Sequence, residues 1–339
     1  MPNSLPKAPR VTVIGDGAMG TVCALILAEK GLPTTLWGID ADRLDAMRRT
    51  HTNSRYLPGV TLPEKLQYQA DAATALAGAQ LIISAVPTQF LRSVMTRMAP
   101  LMPPGVPVVS VTKGVEISTM ERPSEILADT LGDRPLVVLS GPSVASEMAA
   151  RMTCLMVAAT PDAALRVWVQ TLFTTSYLRV YRSDDILGVE MAGATKNVIA
   201  IAAGILDGMH AGNNAKAALL ARGLVEIARL GVAMGAKPET FTGLAGLGDL
   251  VTTCVAPEGR NRSFGELIGK GHTADEALQK LAGVVEGMPT ARAVVELAQR
   301  YKVDMPITRA LYSVLFENVS PPKALHQLMT RDLKDEDVL

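Results

Sequence analysis

Short apolar runs rich in β-branched residues alternate with helical stretches through the first half of the chain. Val11 to Ile14, Thr34 to Trp37, Leu81 to Val86, Val106 to Val111 and Leu136 to Leu139 carry the pattern of strands buried on both faces. Helical periodicity between them, as in Ala18 to Glu29 and Phe90 to Met98, makes βαβ units, and these predict a parallel, doubly wound sheet. Cys154 to Ala159 and Leu178 to Tyr181 are expected to complete it. After about Ser183 strand-like runs cease. Ala-, Leu-, Gly- and Met-rich segments of helical period follow: Gly188 to Met209, Ala215 to Met234, Ala274 to Leu281, Pro289 to Arg300 and Pro306 to Phe316. The expected architecture is α/β, with a doubly wound parallel sheet over 1–187 and an all-helical domain over 188–339.

Charge narrows the ligands. The 33 basic and 33 acidic residues cancel, so no overall field draws nucleic acid or an anionic membrane, and an anion must be met by a local site. The most apolar run, Val198 to Leu206, falls short of the roughly 20 residues of a membrane span. The first ten residues lack a secretory core and are expected to form a loose arm. Cys23, Cys154 and Cys254 are too scattered for a disulfide framework, and the histidines never fall at ligand spacing, so a cytoplasmic protein without a metal is expected. The charged run Arg331 to Val338 is expected to be a solvated tail.

Gly15-Asp16-Gly17-Ala18-Met19-Gly20 follows the first strand and opens the first helix, which is G-x-G-x-x-G in its required setting. Gly15 permits the turn, Gly17 lets backbone approach a pyrophosphate, and Gly20 allows close helix packing, the fingerprint of a Rossmann-like, dinucleotide-binding sheet. Asp40, at the end of the second strand, stands where an acid takes the adenine ribose hydroxyls and so favours NAD, whereas Arg43 would suit the 2′-phosphate of NADP. The sequence leaves both cofactors open.

In Ala192-Gly193-Ala194-Thr195-Lys196-Asn197-Val198-Ile199-Ala200 a lysine stands in a small, apolar helix. Burying it is costly, so it either snorkels to water or carries a tuned pKa and acts as an acid or base. Lys113 follows the strand at Val111, and Ser140-Gly141-Pro142-Ser143 follows the next one, so both emerge at the carboxyl edge of the sheet. Gly246-Leu247-Gly248-Asp249-Leu250 and Gly259-Arg260-Asn261-Arg262 are expected to be polar loops, Arg260 offering a fork for a phosphate. Cys254 has no histidine to activate it and is expected to be a buried thiol.

Together these motifs resemble the NAD(P)-dependent glycerol-3-phosphate dehydrogenases of the bacterial, soluble type, over nearly the whole chain. Leu36-Trp37-Gly38, Asn53-Ser54-Arg55-Tyr56-Leu57-Pro58, Val86-Pro87, Thr112-Lys113-Gly114 and Val284-Val285-Glu286-Gly287 add to the likeness. The resemblance implies hydride transfer between NAD or NADP and a phosphorylated triose, supplying sn-glycerol 3-phosphate for glycerophospholipids. It implies that Lys196 is the catalytic lysine, with Lys113, Asn197 and Asp249 around the reacting carbon. Gly141, Ser143, Gly259, Arg260 and Asn261 would hold substrate. Gly15, Gly17, Ala18, Met19, Gly20, Trp37, Ile39, Asp40, Lys113, Ala145, Arg260, Val284 and Glu286 would line the cofactor. Two positions depart from the family: Ile39 stands where Arg or His is frequent near the ribose, and Gly259 where serine is common. A 3-hydroxyacid dehydrogenase of related architecture, or a nucleotide-sensing module without chemistry, would share the glycine loop. The apolar helical half offers faces for a homodimer.

Overall fold

Pairing of the buried runs, parallel except between β8 and β9, builds an eight-stranded sheet in the order β10-β9-β8-β7-β6-β1-β2-β5. The strands are β1 (Val11–Ile14), β2 (Thr34–Trp37), β5 (Gln67–Gln69), β6 (Leu81–Ser84), β7 (Val108–Ser110), β8 (Leu136–Ser140), β9 (Cys154–Ala159) and β10 (Leu178–Ser183). β3 (Thr52–Asn53) and β4 (Leu57–Thr61) form a separate antiparallel pair. In the computed structural model the described residues are 5–257, 259–281, 283–333 and 335–336. The chain divides into two compact units, Met1–Thr112 with Pro123–Ile186, and Lys113–Arg122 with Leu187–Leu339.

In the first unit, successive residues of a strand face opposite layers, because side chains alternate across a sheet. Val13, Ile83 and Val109 enter one core, and Ile14, Ile82 and Val108 enter the other. The sheet is therefore covered on both faces, which is why its strands lack polar alternation. Three details differ from the sequence expectation. β7 begins at Val108 rather than Val106, since Pro107 has no N–H for the ladder. β9 runs antiparallel to β8, because their connection holds just the short helix Ala145–Ala149 and cannot carry the chain back along the sheet. The arm ahead of β1 is docked where it is described: Leu5 packs on the core, and Trp168 Nε1 donates to Pro6 O at 2.8 Å. Residues 1–4 lie outside the described residues.

The second unit is helical around the 23-residue helix Ile186–Gly208. That helix is long and apolar enough to cross a membrane, unlike the nine-residue run expected from sequence, yet 83% of its apolar window is buried inside the protein, as in a core helix. Glycines let a second helix, Arg260–Gly269, cross it at backbone contact. A Cβ at Gly204 would lie 1.9 Å from Arg262 O, and one at Gly265 would lie 2.0 Å from Ile201 O. Gly208 and Gly269 repeat the contact one turn on, with Gly269 built so that a Cβ would meet Ile205 O at 2.3 Å. At the C-terminus Arg331 Nη2 pairs with Asp304 at 2.9 Å and Leu333 is fully exposed. Lys334, Asp337 and Val338 of the expected tail lie outside the described residues.

Candidate active site

Beyond Ile14 the chain turns at Gly15 with φ +112°, a conformation side chains rarely adopt. A Cβ there would also lie 2.7 Å from Ala85 O beyond β6. The turn therefore presses against the neighbouring strand where the strand order reverses, with β2 on one side of β1 and β6 on the other. The helix Ala18–Glu29 follows Gly17, and no side chain caps the first-turn N–H groups that Ala18, Met19 and Gly20 contribute. A Cβ at Gly17 would meet nothing within 4 Å, so open space faces those donors. Uncapped N–H groups, the positive end of a helix dipole and open space suit a pyrophosphate. Asn53, 1% exposed, bolts the turn from the β3 side: its Nδ2 donates to Asp16 O at 2.9 Å and to Thr21 Oγ1 at 2.8 Å.

At the end of β2 the expectations need one correction. Trp37, expected at the cofactor, buries its ring in the core and donates Nε1 to Ala70 O at 2.9 Å, so its side chain is committed to packing. Its carbonyl still shapes the turn by accepting from Gly15 N at 2.9 Å. Ile39 is 71% exposed. Asp40 caps the helix Ala41–Thr50, its Oδ1 accepting from Arg43 N at 3.0 Å. Gly141 and Ser143 follow β8, where Ser143 Oγ donates to Gly141 O at 2.9 Å, and Ala145 opens the next helix.

In the second unit, Lys196 is buried with 6% exposure and does not snorkel. Its Nζ lies 2.6 Å from Asp249 Oδ1, and Lys113 Nζ lies 2.6 Å from Asp249 Oδ2. Two cations on one anion leave a net charge of +1 in a water-poor place. Burial lowers the Lys196 pKa to about 8, against the opposing pull of Asp249. Burial alone would raise the Asp249 carboxyl, but Lys113 and Lys196 hold it below the ordinary carboxylate range. Lys113 follows a sheet strand in sequence but belongs to the helical unit through the segment Lys113–Arg122. Val115 enters the helical core, and Arg122 Nη1 pairs with Glu190 at 2.5 Å, tying that segment to the long helix. Asn197, 5% exposed, follows Lys196 on the same helix. Cys254 is fully buried, and burial pushes its thiol up to about 12, so it stays protonated.

The two glycine-punctuated segments are helix starts rather than loops. Leu244–Gly248 winds as a π-turn into the helix Asp249–Val255, and a side chain at Gly246 would strike Phe241 O at 2.0 Å. Gly259 is the N-cap of the helix Arg260–Gly269, which puts Arg260 and Asn261 in its first turn. Arg260 is exposed and makes no ion pair among the described residues. Its Nη1 would lie 2.9 Å from a Cβ at Gly283, next to the exposed Val284. Asn261 Oδ1 accepts from Gly287 N at 2.9 Å, and Glu286 is the N-cap of that helix, Gly287–Tyr301.

Two family models cover this arrangement. The NAD-dependent glycerol-3-phosphate dehydrogenase N-terminus matches residues 10–166, and the corresponding C-terminus matches residues 185–326. The chain belongs to this family. Among its relatives, glycerol-3-phosphate dehydrogenase [NAD(P)+] 2 of Salinibacter ruber is 47% identical over 96% of both chains. Glycerol-3-phosphate dehydrogenase [NAD(P)+] of Streptomyces coelicolor is 44% identical over 98% of this chain and 99% of its own. The crystal structure of glycerol-3-phosphate dehydrogenase from Coxiella burnetii superposes with a TM-score of 0.93 at 38% identity, covering 96% of this chain and all of the other.

Within this glycerol-3-phosphate dehydrogenase fold, two participants escaped the sequence. Thr253 Oγ1 accepts from Lys196 Nζ at 2.5 Å and donates to Asp249 Oδ1 at 3.3 Å. It stands four residues beyond Asp249, on the same helical face, which is the signal that would have found it. Asn53 belonged to a recognised motif, but its bond to the glycine turn joins segments with no sequence pattern between them.

Proposed function

We propose that this chain interconverts sn-glycerol 3-phosphate and dihydroxyacetone phosphate with NAD(P)(H), supplying the glycerol backbone for glycerophospholipids. The carrying observation is the pair of ammonium groups held on one buried carboxylate, Lys113 and Lys196 on Asp249. The first unit is the dinucleotide-binding half, essentially residues 1–187, and the second, residues 188–339 with the Lys113 segment, is the substrate and catalytic half. N–H groups at Ala18, Met19 and Gly20 would hold the pyrophosphate, with Gly15 and Gly17 shaping the approach. Ile39 and Asp40 would face the adenosine, and Ala145, Lys113, Arg260, Val284 and Glu286 would line the remainder of the cofactor.

When bound, NAD(P)H supplies the hydride that reduces the C2 carbonyl carbon. Lys196 Nζ donates a proton to the carbonyl oxygen, and in the reverse direction removes it from the hydroxyl. A pKa of about 8 keeps both protonation states accessible near neutral pH. Lys113 sets a second positive charge against the developing alkoxide, in a place where little water screens it. Asp249 and Thr253 hold the Lys196 ammonium in one position. Arg260, with the Nδ2 of Asn261, takes the substrate phosphate, and Gly141, Ser143, Asn197 and Gly259 complete the substrate contacts. Glycine at 259 leaves its contact to backbone. All three cysteines are free and buried, in keeping with a cytoplasmic enzyme. A homodimer through the apolar helical faces is the expected assembly, checked by light scattering.

The test is the initial rate of NADH and NADPH oxidation with dihydroxyacetone phosphate, a 3-oxoacid and no substrate. Dihydroxyacetone phosphate should exceed the 3-oxoacid by more than a hundredfold in kcat/KM. Preference for the 3-oxoacid would instead identify a hydroxyacid dehydrogenase, and no oxidation with any ketone would leave a binding module.

A further inference from the structure

The x position after Gly15 is occupied by an acid, and that acid does not point idly into water. The Asp16 carboxylate lies against Gly38, where an added Cβ would come within 2.6 Å of its Cγ. From there Asp16 Oδ2 accepts from Arg43 Nε at 2.7 Å, and Asp40 Oδ2 accepts from Arg43 Nη1 at 2.9 Å. The Arg43 side chain is 16% exposed, its guanidinium 5.4 Å from the Tyr56 ring centroid. Arg43 is the cation at the end of β2 that would suit a ribose 2′-phosphate, and its Nε and Nη1 are already paired with carboxylates. Both of these acids also raise its pKa against the lowering effect of burial. The cluster sums to two negative charges and one positive, a net −1.

Asp40 is the most exposed member, with 41% of its side chain open to solvent, so its carboxylate can still accept from a ribose hydroxyl. A 2′-phosphate in the same place meets a net negative cluster. Arg43 can still offer its Nη2 to such a phosphate, but Asp16 and Asp40 stay beside it, so their charges offset the attraction and repel the added phosphate.

We propose that the Asp16–Arg43–Asp40 cluster makes this chain select NAD(H) over NADP(H) at the adenosine ribose. The selection rests on the reading that the glycine turn holds the dinucleotide. Asp16 acts from inside the phosphate-binding turn itself, so the residue that disables Arg43 and the backbone that binds the pyrophosphate are one segment. Arg55 also lies over Tyr56, at 5.2 Å, and is the alternative cation for a phosphate.

Direct titration of the full-length protein with NADH and with NADPH, by calorimetry and without substrate, tests this. NADH should bind at least tenfold more tightly than NADPH. Asp16→Asn, which keeps the shape and removes the charge, should shift the ratio of NADH to NADPH affinity several-fold toward NADPH. The pair Asp16→Asn with Asp40→Ser should bring the two affinities together or invert them. Equal or tighter NADPH binding by the unaltered protein overturns the proposal and points to Arg55. So does a change of the same factor for both dinucleotides in the variants. If the folded protein binds neither, the reading of the glycine turn as a dinucleotide cradle fails along with it.

Discussion

The glycine turn at Gly15 and the lysine pair on Asp249 both prepare a place for negative charge, by different means. The turn uses uncapped N–H groups and a helix terminus, built from backbone and fixed by shape. The lysine pair uses two ammonium groups, Lys196 buried and Lys113 half-buried, fixed by a carboxylate and, for Lys196, a hydroxyl. Backbone donors cannot gain or lose protons near neutral pH, so they suit binding. The buried Lys196 ammonium, its pKa lowered by burial to about 8, can, so it suits a reaction in which a proton moves.

The difference is broken most severely at Lys196. Lys196→Ala should lower kcat by about 10²–10⁴, the range for a lost general acid, while calorimetric affinity for the dinucleotide stays within twofold. Parallel loss of both would show that the two places are not independent. Asp249→Asn leaves the buried Lys196 and the half-buried Lys113 without their shared anion. Breaking such a pair costs about 3–5 kcal/mol, read as a lower melting temperature together with lost turnover.

Varying pH sharpens the same contrast. Lys196 must be protonated to give a proton, so ketone reduction should fall about tenfold per pH unit above about 8. Alcohol oxidation needs the neutral amine, so it should rise up to about pH 8 and then level off. Dinucleotide affinity should stay flat over the same range, and a matching inflection in it would contradict a backbone-built cradle. The effect least confined to the chemistry is expected at Gly204→Ala, whose Cβ would strike the Arg262 backbone oxygen and force the two helices apart. Overpacking ordinarily costs about 1–3 kcal/mol, and a clash with backbone that cannot rotate away should reach or exceed the top of that range, read as a lower melting temperature. The KM for dihydroxyacetone phosphate should rise more than kcat falls, since the displaced helix carries Arg260.

The glycine turn was legible because its parts lie within six residues and its setting after a strand is a local pattern. Lys196 stood out for a similar reason, as one charge in an apolar helix. Of its partners, Asp249 was reached only through the family resemblance and Thr253 not at all, since both lie more than fifty positions away and no periodicity connects them to Lys196. Lys113 was placed by its strand at the sheet edge, whereas packing of Val115 and the Arg122–Glu190 pair assigns its segment to the helices. The antiparallel β9 was hidden because a buried strand has the same composition in either direction. Gly246 and Gly259 suggested loops, yet these glycines serve tight winding and a helix cap, and composition does not separate those uses from a turn.

The glycine crossing near Gly204 and Gly265 acts as a caliper. One jaw carries Lys196 and the other carries Arg260, and the hinge is main chain resting on main chain. Side-chain repacking cannot bring the two helices closer there, because backbone already meets backbone. With the roles proposed for Lys196 and Arg260, a ketone whose phosphate sits one carbon farther from its carbonyl is expected to turn over more slowly.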